Sequence, residues 1–127
     1  MVTVKIRCRE NDRYIRCDSD HQWCYANASR SDALRFEKIE IAHDLVILKV
    51  AGEQTFLNYR PATGAVKIFR EEAVWKLNRH GGGSYSLRSL PTEEYMGIWN
   101  DGVNELYVRD MMMPECRTCQ FILEPVC

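Results

Sequence analysis

The chain has 127 residues, of which 46% are hydrophobic and 28% charged, with a formal net charge of −1. A chain of this length buries roughly two thirds of its unfolded surface, which is enough for one domain over residues 1–127 with a single core. The near-zero charge argues against a dedicated nucleic-acid binder, which carries a basic stripe, and apolar runs of only a few residues exclude membrane insertion by an apolar helix.

Val2-Thr3-Val4-Lys5-Ile6 alternates strictly and reads as a strand. It occupies the place where a secretion signal would stand, so we expect a chain that acts in the cytoplasm unless a leader is removed. Asn27-Ala28-Ser29 is a glycosylation sequon, which matters only on the secretory route. Ser31 to Ile41 and Arg70 to Leu77 can each be written as helical. Both are so short that single helical turns are expected there within an otherwise all-β chain. Ala65-Val66-Lys67-Ile68-Phe69 alternates again, after a Pro61-Ala62-Thr63-Gly64 turn. Gly81-Gly82-Gly83 has no side chain to pack and reads as a linker. Trp99-Asn100-Asp101-Gly102 is a hairpin signal, because Asp-Gly tolerates the positive φ angles of a tight turn.

These elements repeat. Val4-x-Ile6-Arg7, Val46-x-Leu48-Lys49 and Tyr85-x-Leu87-Arg88 each stand eight residues, counted from the second apolar position, before Tyr14-Ile15, Phe56-Leu57 and Tyr95-Met96. Each unit closes on an aromatic in an apolar setting: Phe36, Trp75 and Phe121. A period of about 40 residues marks a repeat architecture whose single unit cannot bury its apolar face alone. Three units of about four short strands describe a β-trefoil, with boundaries near 1–42, 43–82 and 83–127. The third unit is longer, and its extra residues fall around Met111-Met112-Met113-Pro114.

Val4-Lys5-Ile6-Arg7-Cys8, followed by Arg13-Tyr14-Ile15-Arg16-Cys17-Asp18-Ser19-Asp20, resembles the opening of the plant amaranthin-type agglutinin domains. Phe121-Ile122-Leu123-Glu124-Pro125 is similar to their terminal strand. The resemblance implies a β-trefoil lectin that recognises galactose or N-acetylgalactosamine-type glycans, on glycoproteins among others, often across a homodimer contact. Fascin-like and other trefoil modules share much of the pattern, so the alternative is a protein-interaction trefoil, either a cytoskeletal module or an inhibitor. The Gln-x-Trp signature of ricin-type lectins is absent: Gln22-Trp23 lacks the intervening residue.

Sugar recognition needs a flat aromatic face for the apolar side of the ring and planar polar groups for its hydroxyls. Three clusters supply both. The third repeat offers Trp99, Asn100, Asp101, Asn104 and Tyr107; the first offers His21, Gln22, Trp23, Tyr25 and Asn27; the second offers Asn58, Tyr59 and Arg60. Each also has a plain structural reading. The aromatics can be core or barrel-bottom residues, and Asn100-Asp101 can exist only to turn the chain. Phe36, Trp75 and Phe121, with Tyr14, Phe56 and Tyr95, recur at equivalent places and read as core. Arg7, Lys49 and Arg88 recur as well. They form either a ring for an anionic partner or the outward half of alternating strands with solvated heads, and the second reading is preferred.

The six cysteines read mostly as reduced, partly buried small hydrophobes. Cys116-x-x-Cys119 is half of a zinc pattern without a second pair, so no metal is expected; Cys8 and Cys127 come near each other if the terminal strands meet. His21, His43 and His80 fall in three different repeats, and Gly81-Gly82-Gly83 lacks the Lys-Ser/Thr of a phosphate loop. Neither catalysis nor a cofactor is expected.

Overall fold

Strict apolar–polar alternation over four to eight residues forces side chains to opposite faces and specifies half-buried strands. The computed structural model describes residues 2–18, 23–99, 103–110 and 112–126, and contains twelve strands among them. The first repeat supplies β1 (Val2–Cys8), β2 (Tyr14–Cys17), β3 (Cys24–Ala28) and β4 (Arg35–Ala42). The second supplies β5 (Leu45–Val50), β6 (Phe56–Tyr59), β7 (Val66–Phe69) and β8 (Val74–His80). The third supplies β9 (Ser84–Ser89), β10 (Tyr95–Trp99), β11 (Glu105–Arg109) and β12 (Phe121–Pro125).

Six of these strands close into a barrel. β1 pairs with β4, β4 with β5, β5 with β8, β8 with β9, β9 with β12, and β12 returns to β1, every pair antiparallel. The other six form three hairpins, β2–β3, β6–β7 and β10–β11. Each hairpin is joined to its barrel strand at the same place: Arg7 pairs with Tyr14, Lys49 with Phe56, and Arg88 with Tyr95. The eight-residue offset of the sequence is this pairing, seen three times. The turns that make it repeat too. The backbone N–H groups of Cys8, Val50 and Ser89 donate to the carbonyls of Arg13, Thr55 and Glu94, each at 2.8 Å. Asp12 and Glu93 take φ of 57° and 61° to complete the first and third turns, and Gly52 takes 80° in the second.

The core is one cluster inside the barrel and under the hairpins. Ile6, Leu48 and Leu87 are fully buried, as are Ile15, Leu57 and Met96, and so are Phe36, Trp75 and Phe121. Burying each such side chain contributes roughly 1.5–3 kcal/mol, so this repeated set is the main source of stability. The Trp75 indole N–H, which cannot be left unpaired in such a place, donates to the Leu57 carbonyl at 3.2 Å.

The expected helical turns lie elsewhere. Residues 35–41 of the first suspect segment belong to strand β4, and residues 74–77 of the second begin strand β8. Glu71 to Leu77 has good helix formers, but Trp75 must enter the barrel. Packing therefore overrides local propensity. The short 3₁₀ turns are at Gly81–Gly83 and Arg117–Cys119. Arg7, Lys49 and Arg88 form no free basic ring. Arg7 pairs with Asp12 at 2.7 Å, Lys49 with Glu37 at 2.8 Å and Arg88 with Glu93 at 3.2 Å. Their heads are neutralised by neighbouring carboxylates on the outside of the barrel, where such pairs contribute little stability.

Candidate functional site

The three hairpins meet at one end of the barrel. Tyr25 of β3 pairs with Glu105 of β11, Ala65 forms a bridge with Tyr107, and the Ala26 N–H donates to the Asn104 carbonyl at 2.9 Å. Asn104 therefore works through its backbone at a φ of 61°. The Val108 N–H donates to the Gly64 carbonyl at 2.7 Å, an approach so close that a Cβ on Gly64 would run into the Val108 carbonyl oxygen.

Cations stand over aromatic rings on this end of the barrel, both within the hairpins and between them. Arg109 lies 4.2 Å from the Tyr107 ring centre and 5.0 Å from that of Trp99, and the two rings meet edge to face at 6.2 Å. The Arg109 Nε donates to the Thr63 carbonyl at 3.3 Å, tying the third hairpin to the second. Lys67 of β7 lies 4.4 Å from the Trp23 ring centre, and Arg16 stands 4.9 Å from that of Tyr25. The Tyr25 hydroxyl donates to Asp18 at 3.4 Å, and burial, with Asp18 and Glu105 nearby, raises its pKa. Asn27 accepts from Arg16 Nε at 2.7 Å and donates to the Val103 carbonyl at 3.2 Å. At partly exposed sites a cation–π contact contributes about 0.5–1 kcal/mol. The Lys67–Trp23 contact joins the first and second hairpins, while the Arg16 and Arg109 contacts each brace a single hairpin.

Of the residues singled out in the sequence, Trp99 and Tyr107 come together in the third repeat, with Arg109 against both rings. Trp23 lies on a different seam. His21, Asn100 and Asp101 lie outside the described residues. Asn58 and Tyr59 line a separate feature, a pocket of about 650 Å³ between the second and third repeats.

That pocket is built from three loops. The end of β6 gives Asn58 and Tyr59, the β7–β8 connection gives Glu71 to Trp75, and the β9–β10 turn gives Ser89 to Thr92. Its floor is apolar and aromatic: the Tyr59 and Trp75 rings lie 6.0 Å apart at 55°. The floor is held by the Tyr59 hydroxyl, within hydrogen-bond reach of Ser89 Oγ at 2.5 Å and Thr92 Oγ1 at 3.3 Å. One lip is held by Asn58, which donates to the Glu71 carbonyl at 3.1 Å and accepts from the Tyr59 N–H at 2.8 Å. Glu71, Glu72, Arg60 and Thr92 bring charged and hydroxyl groups to the edge.

The third repeat fills the equivalent space, and the first carries a larger side chain at the matching position. Two residues before the core aromatic, the first repeat has Leu34 and the third has Cys119, whereas the second has Ala73. In the third repeat a Cβ on Gly97, the counterpart of Asn58, would stand 2.6 Å from Cys119 Sγ and 2.8 Å from Met112 Sδ. The extra residues of that repeat thus fold over β10. Sequence reasoning missed the cations Lys67 and Arg109 and the walls supplied by residues 71–75 and 89–92. The signal that could have found the pocket was Ala73 at a position of larger side chains.

Among the described residues no three His, Cys, Asp or Glu side chains gather where they could hold a metal ion. Cys8, Cys24 and Cys119 are buried, Cys17 is half-buried and Cys116 is exposed, all as free thiols. Cys127 lies outside the described residues.

No family model matches the chain, and no curated protein matches it in sequence. Solved structures do match. A GlcNAcα1-4Gal-releasing endo-β-galactosidase from Clostridium perfringens aligns with a TM-score of 0.83 at 15% identity over 99% of this chain. The chain spans only 33% of that enzyme chain's length. ThreeFoil, a designed three-fold symmetric protein, aligns at 0.79 with 11% identity over 98% of this chain and 99% of its own. The BEL β-trefoil aligns at 0.73 with 14% identity over 98% of this chain and 93% of its own. The protein has the β-trefoil fold, as the threefold sequence pattern implied.

Proposed function

We propose that this β-trefoil is a non-catalytic carbohydrate-binding module for galactose or N-acetylgalactosamine-type glycans, with its site in the pocket between the second and third repeats. The pocket's composition carries the reading: an apolar lining of Phe69, Ala73, Val74, Leu90 and Pro91 over the edge of Tyr59, backed by the fully buried Trp75, beneath an edge of amide, carboxylate, guanidinium and hydroxyl groups. A sugar ring presents the matching pair of surfaces, a patch of C–H groups and a ring of hydroxyls. The resemblance of the terminal strands to amaranthin-type agglutinins supports this ligand class. So does the galactosidic substrate in the name of one fold neighbour.

Met112 and Cys119 occupy the third repeat's counterpart space, and Leu34 stands in the first repeat where the second has Ala73, so one site per chain is expected among the described residues. At about −0.3 kcal/mol per non-hydrogen atom, a hexose of roughly twelve such atoms binds at about the millimolar level. Useful retention then depends on several chains or several sugars acting together.

A glycan array run with and without free galactose tests the reading, beside the Ala73→Leu variant, which copies the first repeat's larger side chain into the pocket. We expect galactose-competable binding that the variant loses while its melting temperature is unchanged. Absence of binding to any glycan, or binding that survives Ala73→Leu, would overturn the assignment.

A further inference from the structure

A second feature stands apart from the pocket. Cys17 and Cys24 face each other across β2 and β3, paired in register, with their sulfur atoms 3.4 Å apart. The next pair outward, Asp18 and Trp23, is joined by a bond from the Asp18 N–H to the Trp23 carbonyl at 3.1 Å. In an antiparallel ladder hydrogen-bonded and non-hydrogen-bonded pairs alternate, so Cys17 and Cys24 form a non-hydrogen-bonded pair. Such pairs bring Cα atoms to about 4.5 Å, inside the span a disulfide bridges. Cys17 is half-buried and open to a small oxidant, whereas Cys24 is buried behind it. The hydrogen bond to Cys17, together with burial, holds the Cys24 thiol above its ordinary range, so Cys24 keeps its proton until its partner has reacted.

We infer that Cys17 and Cys24 are a redox-active pair that closes to a cross-strand disulfide, with Cys17 as the attacking thiol and Cys24 as the resolving one. The oxidant is a low-molecular-weight disulfide such as oxidised glutathione. The Cys17 thiolate attacks one of its sulfurs, forming a mixed disulfide and releasing one glutathione thiolate. Cys24 then loses its proton and attacks the Cys17 sulfur. The new bond joins Cys17 to Cys24 and expels the second glutathione thiolate. The protein loses two protons and two electrons, and one oxidised glutathione becomes two reduced ones. The product staples the base of the hairpin end that carries Trp23, whose ring sits 4.4 Å from the Lys67 ammonium of the neighbouring hairpin.

The test equilibrates the folded protein in glutathione buffers of increasing oxidised fraction, quenches with an alkylating agent and maps the peptides. We expect a mass loss of about 2 Da, a peptide in which Cys17 is linked to Cys24, and a melting temperature raised by about 5–10 °C in the oxidised form. Cys17→Ser should remove the link without unfolding the protein, as circular dichroism would show. Cys24→Ser should leave Cys17 arrested as its glutathione adduct. Recovery of both thiols as alkylated cysteines, a glutathione adduct persisting on Cys17 in the unaltered chain, or a link from Cys17 to any other cysteine would each overturn the inference.

Discussion

The Tyr59 hydroxyl and Ser89 Oγ stand 2.5 Å apart, so the floor of the pocket is also a bond between the second and third repeats. Ser89 is 1% exposed, so a lost partner there is poorly replaced by water from the pocket. Tyr59→Phe should therefore cost about 1–2 kcal/mol of folding stability, the usual penalty for stranding a buried hydroxyl. Urea unfolding reads it directly. A variant with the parent's midpoint and slope would show that Ser89 finds another partner.

Trp99 and Ala73 make opposing demands. If the sugar sits between the second and third repeats, Trp99→Ala should leave glycan retention within about twofold of the parent while loosening the hairpin cap by about 1 kcal/mol. Ala73→Leu should do the reverse. Retention lost in Trp99→Ala and kept in Ala73→Leu would move the site to the third hairpin, beside Tyr107 and Arg109.

Three glycines should rank by what surrounds them. Gly64 has a φ of 80° and no room for a Cβ against a backbone oxygen, so Gly64→Ala should be the worst, at about 3 kcal/mol or more. Gly97→Ala meets the movable ends of Met112 and Cys119, and a loss of about 1–3 kcal/mol is expected. Gly52→Ala has open space and suffers only from its φ of 80°, about 1–2 kcal/mol. Chemical denaturation of the three variants checks the order, and Gly52→Ala as the most damaging would contradict it.

Burial pushes the Cys8 thiol up to about 11, while in the unfolded chain it ionises near the ordinary thiol value. The folded state thus keeps a proton that the unfolded state releases. The resulting stabilisation is complete below about pH 9 and is lost as pH rises towards 11, by about 2–3 kcal/mol in all. Tyr14, raised by burial and by its bond to Glu124, adds to the alkaline loss. Stability measured from pH 8 to 11 should fall less steeply for Cys8→Ala than for the parent, whatever their absolute values. Equal slopes would remove Cys8 from the account.

The barrel could be read from the chain because its determinants are local and repeated. Ile6 to Tyr14, Leu48 to Phe56 and Leu87 to Tyr95 share one spacing, since each turn must return its strand to the same partner. The aromatics that end the units all enter one core. The pocket could not be read that way, because it depends on what two repeats lack. Ala73 is small, and the β7–β8 connection is short where the β11–β12 connection folds Met112 inward. The Lys67 partner of Trp23 was equally hidden, because the two come from different repeats and meet only after the hairpins converge. Val74 to His80 departs from its local preference because helix propensity is a weak force beside the burial of Trp75.

Pairing of β1 with β12 sets Val4 opposite Pro125, and the Val126 N–H donates to the Thr3 carbonyl at 2.9 Å. The ring of strands therefore has no privileged starting point. Joining residue 126 to residue 2 through a short flexible bridge, and opening the chain at the exposed Gly82, would give a permuted polypeptide with every strand beside its present neighbours. Such a rearranged chain should melt within a few degrees of the parent, and it would offer fusion points at a different place on the barrel from the present ones.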